Sequence, residues 1–162
     1  MGMRELKVSK TNAMRLLDSK KIPYELITYE SKDGKIDGVS VAEKIGKDVR
    51  SVYKTLVAQG NSKNRYVFII PVNDELDLKK GAKAVNEKKI EMIPVKDIQK
   101  WTGYIRGGCS PIGMKKAYST VMDESATNLE TIVVSGGKIG VQVELTVANL
   151  QEITNATFVD VV

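Results

Sequence analysis

Apolar and polar residues alternate strictly between Ile139 and Leu145, with Val141 and Val143 continuing the apolar side of the pattern. A period of two residues predicts a strand with one buried face. Shorter runs rich in β-branched and aromatic residues predict the other strands. These runs cover 24–29, 52–58, 66–70, 88–93, 117–122, 131–135 and 157–161. The pattern as a whole predicts about seven strands.

Between the strands, apolar residues recur at helical spacing behind residues that commonly cap helices. At the second such place, Ser40 and Glu43 fit a capping box, and Gly46 is expected to end the helix. Gly103 is expected to close the fourth helix. About five helices are predicted in all, with starts at Thr11, Ser40, Asp77, Pro94 and Thr146.

Short polar connections between neighbouring strands predict hairpins. One hairpin joins 52–58 to 66–70, and Gly136-Gly137 is expected to form the turn of another. Hairpins place antiparallel strands side by side, so the predicted fold is α+β, with a mixed, curled, barrel-like sheet surrounded by helices. A chain of 162 residues without linker or repeat predicts a single domain over residues 1–162.

Composition excludes several kinds of chemistry. The chain has no histidine and a single cysteine, Cys109. An intramolecular disulfide is therefore excluded, a zinc site or histidine-based triad is disfavoured, and no metal or cofactor is predicted. No apolar run approaches the ~18 residues of a membrane span, and Met1–Glu5 lacks a signal sequence, so a cytoplasmic location is expected. The net charge of +5 mildly favours a polyanionic partner.

A loop rich in glycine interrupts these elements between Gly103 and Gly113. Such a density of glycine and proline breaks helices and strands. Glycine also lets main-chain N–H groups approach a ligand closely, so Gly107 and Gly108 are candidates for a paired N–H nest that binds a carbonyl oxygen or a phosphate. The plainer alternative is a tight turn without a ligand.

Lys54 stands out among the strand residues. Alternation places it on the same side as Val52, Leu56 and Ala58, and lysine is rarely buried without a partner. A catalytic interpretation holds its ammonium in a pocket beside developing negative charge. The alternatives are an edge strand, or a lysine whose stem packs while its ammonium reaches water.

Further candidates each have a plainer alternative. Tyr29 can line the same pocket or fill the core, and Ser135 can bind a ligand or hydrogen-bond its own turn. Cys109 lies beside the glycine pair, but without a histidine to activate it a packed thiol is favoured over a nucleophile. The pairs Lys79-Lys80 and Lys115-Lys116 are candidate phosphate contacts or ordinary solvated faces.

Four motifs together carry a resemblance. They are YKTLV at 53–57, LDLKK at 76–80, GYIRGGCSPIG at 103–113 and VSGGKIG at 134–140. In this order and spacing the chain resembles the YbaK/EbsC family of aminoacyl-tRNA deacylases, from about Thr11 to the C-terminus. These proteins are freestanding relatives of the editing domain inserted in bacterial prolyl-tRNA synthetases.

The resemblance implies a barrel-like mixed sheet and removal of cysteine mischarged onto tRNA(Pro), with Cys-tRNA(Cys) as a further substrate. It implies that the substrate thiol attacks its own ester. Lys54 matches the essential lysine, and Lys54 and Gly107 are assigned to catalysis. Tyr29, Gly108 and Ser135 are assigned to substrate binding.

The lysine pairs Lys79-Lys80 and Lys115-Lys116 become candidate tRNA contacts, and prolyl-tRNA synthetase becomes a candidate partner. The chain departs from the family at Ile36 or Asp37, where some members have an aromatic residue, and near Gln142, where some have an aspartate. Two other functions stay open. One is deacylation of Ala-tRNA(Pro) by a positioned water, and the other is a non-catalytic module that binds tRNA or a synthetase.

Overall fold

The computed structural model describes residues 9–162, and the mixture of elements in it confirms the predicted α+β class. No helix in that range has the length and apolar character of a membrane span. The helices are α1 (Asn12–Ser19), α2 (Gly38–Lys44), α3 (Leu78–Ala84), α4 (Ile98–Thr102) and α5 (Val147–Thr154). The strands are β1 (Glu25–Thr28), β2 (Tyr53–Gly60), β3 (Arg65–Pro71), β4 (Ile90–Met92), β5 (Ser119–Asp123), β6 (Thr131–Lys138), β7 (Val141–Thr146) and β8 (Thr157–Val159).

The strands form two sheets. The smaller has the order β1-β7-β6 and is antiparallel throughout. The larger has the order β4-β2-β3-β5-β8, in which β2 is antiparallel to β3 and β4, while β5 is parallel to β3 and β8. The β2–β3 ladder confirms the predicted hairpin, with Tyr53 opposite Pro71 and Gln59 opposite Arg65.

An isolated bridge connects the two sheets. Val52, directly before β2, pairs in parallel with Val133 of β6. Over residues 9–162 this single bridge is the full extent of pairing between β2 and β6. Closure of the sheets into a barrel is therefore not confirmed. The bridge brings β6 to one end of the outer edge of β2, and β4 pairs with the other end from Ala58 to Gly60.

The larger sheet is buried on both faces. Every residue of β3 after Arg65 is buried, as expected for a central strand. On one face Val67 and Ile69 belong to the main core, which also takes in residues of α1 and α5. On the other face Phe68 packs with Ala82 of α3 in a second cluster. α3 and the main core therefore lie on opposite sides of this sheet.

Most helix ends are where the sequence predicts them. The Thr11 hydroxyl oxygen accepts a hydrogen bond from the Met14 N–H at 3.2 Å, Asp77 and Thr146 cap α3 and α5, and Gly103 ends α4 with φ of 85°. Side-chain acceptors satisfy N–H groups that the first turn of a helix leaves free.

The predicted capping box of the second helix is wrong. Asp37 caps α2 instead, with its carboxylate accepting from the Ser40 N–H at 3.1 Å. Ser40 is already inside the helix, and its hydroxyl donates to Asp37 at 2.7 Å. Asp37 has the extended backbone that a cap residue adopts, whereas Ser40 lies within the helix.

The predicted turn at Gly136-Gly137 is also wrong, because β6 continues through both glycines. Pairing with β7 shifts from Ser135 opposite Gln142 to Lys138 opposite Val141, which defines a β-bulge. Gly137 has φ of 107°, a conformation that favours glycine. The two glycines therefore bend a strand, and the chain reverses only after Lys138.

Candidate active site

A cavity of about 510 Å³ lies along the outer edge of β2. It occupies the gap between the end that β6 approaches and the end that β4 covers. Its size falls in the range of small-molecule sites in proteins. Residues of β2, the turn before α2, the segment around β4 and the glycine loop contribute to its walls.

Four predicted site residues line this cavity: Tyr29, Lys54, Gly107 and Ser135. They come from the end of β1, from β2, from the glycine loop and from β6. The fold brings together residues that are far apart in the sequence. Gly108 and the lysine pairs are outside the lining.

Lys54 gives the cavity a cation. Over residues 9–162 it has no acidic partner. Arg106 also lines the cavity, and among the residues that the structure describes Asp37 is the one acidic residue in its walls. The Ser40 hydroxyl and N–H lower the pKa of Asp37, which is engaged in capping α2. The balance of charge favours an anionic group or developing negative charge beside Lys54.

Gly107 has φ of +86°, and a Cβ placed on it would lie 3.0 Å from Ile36 Cδ1. The left-handed backbone favours glycine, and a Cβ at this position would press on the end of the Ile36 side chain. Within the described chain its N–H has no hydrogen-bond acceptor. An unpaired N–H in a cavity wall is the kind of donor that stabilises an oxyanion.

Gly108 differs from its neighbour. Its N–H donates to the Ile105 carbonyl at 3.0 Å, and a Cβ on it would lie 2.7 Å from Lys138 Cα. It serves close packing of the loop on β6, and the predicted nest of two free N–H groups is therefore reduced to the one at Gly107.

Ser135 both hydrogen-bonds its own backbone segment and faces the candidate site, the two alternatives that its sequence context allows. Its Oγ accepts from the Gly137 N–H at 3.2 Å, the local bond expected of a turn serine. It also lines the cavity. Because Oγ is the acceptor in this bond, its proton remains available to a ligand.

Two hydroxyl groups of the lining, those of Tyr29 and Thr55, are buried without a hydrogen-bond partner in the described chain. A buried polar atom without a partner costs free energy, and its persistence calls for an explanation. Sequence analysis missed Thr55, because a threonine in a strand is ordinary. The missing hydrogen-bond partner of the Thr55 hydroxyl can be recognised only when the residues around it in the fold are known.

Thr55 also occupies an unpaired stretch of backbone. The Ile93 N–H donates to the Val57 carbonyl at 3.2 Å, so odd-numbered residues of β2 direct their main-chain groups to the outer edge. No strand among residues 9–162 pairs with that edge at Thr55. Its N–H and C=O are therefore available beside the cavity.

Cys109 lines the cavity, and burial raises the pKa of its thiol to about 11. Nucleophilic cysteines have a lowered pKa, so this group is a packed thiol at neutral pH. The positions where the chain departs from the family pattern, Ile36, Asp37 and Gln142, line the same cavity. Gln142 is buried opposite Ser135, so a neutral amide occupies that part of the wall.

The lysine pairs lie in two other places. Lys79 and Lys80 belong to α3, and Lys80 Nζ is 2.9 Å from Asp160. Lys115 and Lys116 follow the glycine loop, and Lys115 Nζ donates to the Lys100 carbonyl at 3.4 Å.

In the part of the chain that the structure describes, no group of three or more acidic, cysteine or histidine side chains is placed to hold a metal ion.

The fold and the composition of this cavity define a class of protein. The chain belongs to the aminoacyl-tRNA editing domain family, whose model matches residues 37–153. It is 45% identical over 152 residues to a protein of Enterococcus faecalis named "Putative Cys-tRNA(Pro)/Cys-tRNA(Cys) deacylase EbsC", covering 94% of this chain and 93% of that protein.

Two solved structures share the fold. One is the crystal structure of "a putative trans-editing enzyme for prolyl tRNA synthetase", with a TM-score of 0.83, 20% identity, and coverage of 95% of this chain and 98% of that one. The other is a hypothetical protein, APE2540, with a TM-score of 0.84, 18% identity, and coverage of 93% and 99%.

Proposed function

We propose that this protein is a trans-editing deacylase that removes cysteine mischarged onto tRNA(Pro), with Cys-tRNA(Cys) as a second substrate. The observation that carries the proposal is the meeting of Tyr29, Lys54, Gly107 and Ser135 in one cavity. The name of the Enterococcus faecalis relative supports the same substrates. The proposal concerns an ester between an amino acid and the ribose at the 3′ end of tRNA.

The cavity favours a reaction in which the substrate supplies the nucleophile. The chain has no histidine, and the Cys109 thiol is held protonated by burial. In the proposed step the cysteinyl sulfur bonds to its own ester carbonyl carbon as the bond from that carbon to the ribose oxygen breaks. The thiol proton passes to the ribose oxygen, and water then opens the thiolactone to cysteine. Holding the two groups together supplies much of the acceleration.

Five of the lining residues have a role in this step. The Gly107 N–H binds the carbonyl oxygen as it gains negative charge. Lys54 stabilises that charge or holds the phosphate of the terminal nucleotide. The Tyr29 and Thr55 hydroxyls, unpaired within the described chain, and the Ser135 hydroxyl orient the aminoacyl group.

Release of free amino acid from Cys-, Ala- and Ser-tRNA(Pro), with and without prolyl-tRNA synthetase, tests the proposal. Cys-tRNA(Pro) should be cleaved fastest, because serine's hydroxyl is a weaker nucleophile and alanine has none. S-methylcysteinyl-tRNA(Pro) is the sharpest control, since it keeps the sulfur but has no thiol to attack with. We expect the protein to cleave Cys-tRNA(Pro) and to leave the ester of S-methylcysteinyl-tRNA(Pro) intact.

Other outcomes lead to other functions. Faster cleavage of Ala-tRNA(Pro) indicates a positioned water as nucleophile. Binding of tRNA without cleavage of any of the three esters indicates a non-catalytic module. Cleavage that requires the synthetase supports an editing complex with that enzyme.

A further inference from the structure

Arg65, at the start of β3, stacks on Trp101 of α4, with its guanidinium carbon 3.1 Å from the ring centroid. Lys100 Nζ lies 4.9 Å from the same centroid. Lys115 Nζ donates to the Lys100 carbonyl at 3.4 Å. We call these four residues, Arg65, Lys100, Trp101 and Lys115, the Trp101 patch.

The three cations of the Trp101 patch have no acidic partner among residues 9–162. Five cations of the described chain do have one, namely Lys10, Lys44, Lys47, Arg50 and Lys80, whereas others, Lys54 and Lys83 among them, do not. Arg65 Nε is moreover buried without a hydrogen-bond partner there. What sets Arg65 apart is its stacking on Trp101, which holds a guanidinium that has no carboxylate at ion-pair distance in the described chain.

The Trp101 patch adjoins the cavity through α4. Ile98 of α4 lines the cavity, and Trp101 follows it by three residues, which is less than one helical turn of about 5.4 Å. Gly103 ends α4, and the loop that follows carries Gly107 to the cavity wall. A polymer whose end enters the cavity can therefore extend across this patch.

We infer that the Trp101 patch binds the phosphate backbone of the RNA whose aminoacylated end enters the cavity, which rests on the proposed function. A planar guanidinium presents paired donors that match phosphate oxygens, and two lysines add point charges. Tryptophan and arginine are also enriched in protein interfaces, but lysine is depleted there, so the two exposed lysines favour RNA over a protein partner. The patch places RNA on the main-core side of the larger sheet.

Binding of an uncharged tRNA(Pro) transcript, measured over a series of salt concentrations, tests this inference. The double variant Lys100→Gln/Lys115→Gln removes two exposed charges without a change in the core. It is expected to weaken binding and to reduce the slope of log affinity against log salt by about 1.5 to 2. Arg65→Lys is expected to weaken binding while keeping the slope, because it retains charge but loses the stacked fork.

The matched control is Lys83→Gln, an exposed lysine of α3 on the opposite side of the larger sheet. It removes one charge away from the patch, as each of the single variants Lys100→Gln and Lys115→Gln does within it, and should leave affinity and slope close to wild type. Equal effects of Lys83→Gln and either patch lysine would overturn the inference, since they would indicate net charge alone. Unchanged tRNA affinity in the double variant, with loss of synthetase-dependent activity, would assign the patch to a protein partner instead.

Kinetics separate this inference from the proposed function. Patch variants should raise the KM for Cys-tRNA(Pro) and leave kcat unchanged, whereas Lys54→Met should lower kcat. If wild-type protein cleaves no aminoacyl-tRNA, the deacylase proposal fails, and the binding experiment still decides the patch. If it cleaves Cys-tRNA(Pro) and the double variant binds tRNA like wild type, the patch inference alone fails.

Discussion

Lys54 lies directly opposite Ile70 in the ladder of β2 and β3. The next pair on the same face is Leu56 with Phe68, so a lysine occupies one position in an otherwise apolar row. Its charge has no acidic partner in the part of the chain described here. Such a position contributes little to folding and is explained by the cavity that the residue lines.

The substitution Lys54→Met should separate activity from stability. Deacylation of Cys-tRNA(Pro) is expected to fall by about two orders of magnitude, the usual effect of losing one electrostatic contact to the transition state. The thermal midpoint should not fall, because methionine suits an apolar row and no ion pair is lost. Single-turnover rates and thermal unfolding measure the two effects, with Lys83→Met as control. An unchanged rate would remove Lys54 from the mechanism.

Thr55→Val should make the protein more stable and less active. The hydroxyl lacks a partner in the described chain, and burial of such a group costs on the order of 1 kcal/mol or more. Denaturant unfolding measures the gain, and Thr55→Ser, which keeps the hydroxyl, is the control for activity. A clear loss of stability in Thr55→Val would mean that the hydroxyl already has a partner.

Two glycine substitutions distinguish backbone strain from crowding of the cavity. Gly34 (φ +77°) and Gly107 (φ +86°) both have left-handed backbones, but a Cβ on Gly34 meets nothing within 4 Å, whereas one on Gly107 meets Ile36 at 3.0 Å. Both changes to alanine should cost about 1 to 2 kcal/mol of stability. We expect only Gly107→Ala to lower the rate of deacylation as well, and equal rates would argue against a role for this loop.

Cys109 should be dispensable for catalysis. With a pKa of about 11, only about one thiol in a thousand is ionised at pH 8. Cys109→Ala should therefore keep most of the activity, and alkylation of the native thiol should be slow and accelerate up to about pH 11. Fast alkylation near neutral pH, or loss of activity beyond the effect on packing, would reopen the case for a nucleophile.

The ion pair of Glu144 with Lys47 should make the free energy of unfolding depend on pH in the acid range. Lys47 Nζ is 2.8 Å from Glu144 Oε1, and this contact lowers the pKa of the Glu144 carboxyl. A lowered pKa in the folded state gives stability that is present above the ordinary value near 4.5 and is lost as the pH falls through the folded value. Glu144→Gln should cost about 1 kcal/mol or less at pH 7 and should flatten the acid limb of unfolding. An unchanged acid limb would contradict this assignment.

The sequence by itself determined where most elements lie and which chemistry is excluded. Strands and helix caps depend on alternation, capping residues and glycine, which act within a few residues of each other. The absence of histidine and the lysine in an apolar strand were equally visible. The motifs also pointed to the editing family, which the family model confirms.

The tertiary structure alone decided which of these residues meet. The register and order of the strands leave the edge of β2 unpaired at Thr55. The Gly108 N–H is used in a hydrogen bond within the loop, so of the two glycines only Gly107 has a free N–H in the described chain. Asp37, not Ser40, is the N-cap of α2, and Gly136-Gly137 forms a β-bulge rather than a turn. The stack of Arg65 on Trp101 joins residues far apart in the chain. Such contacts depend on how whole elements pack, because local backbone preferences carry no information about partners that distant in sequence.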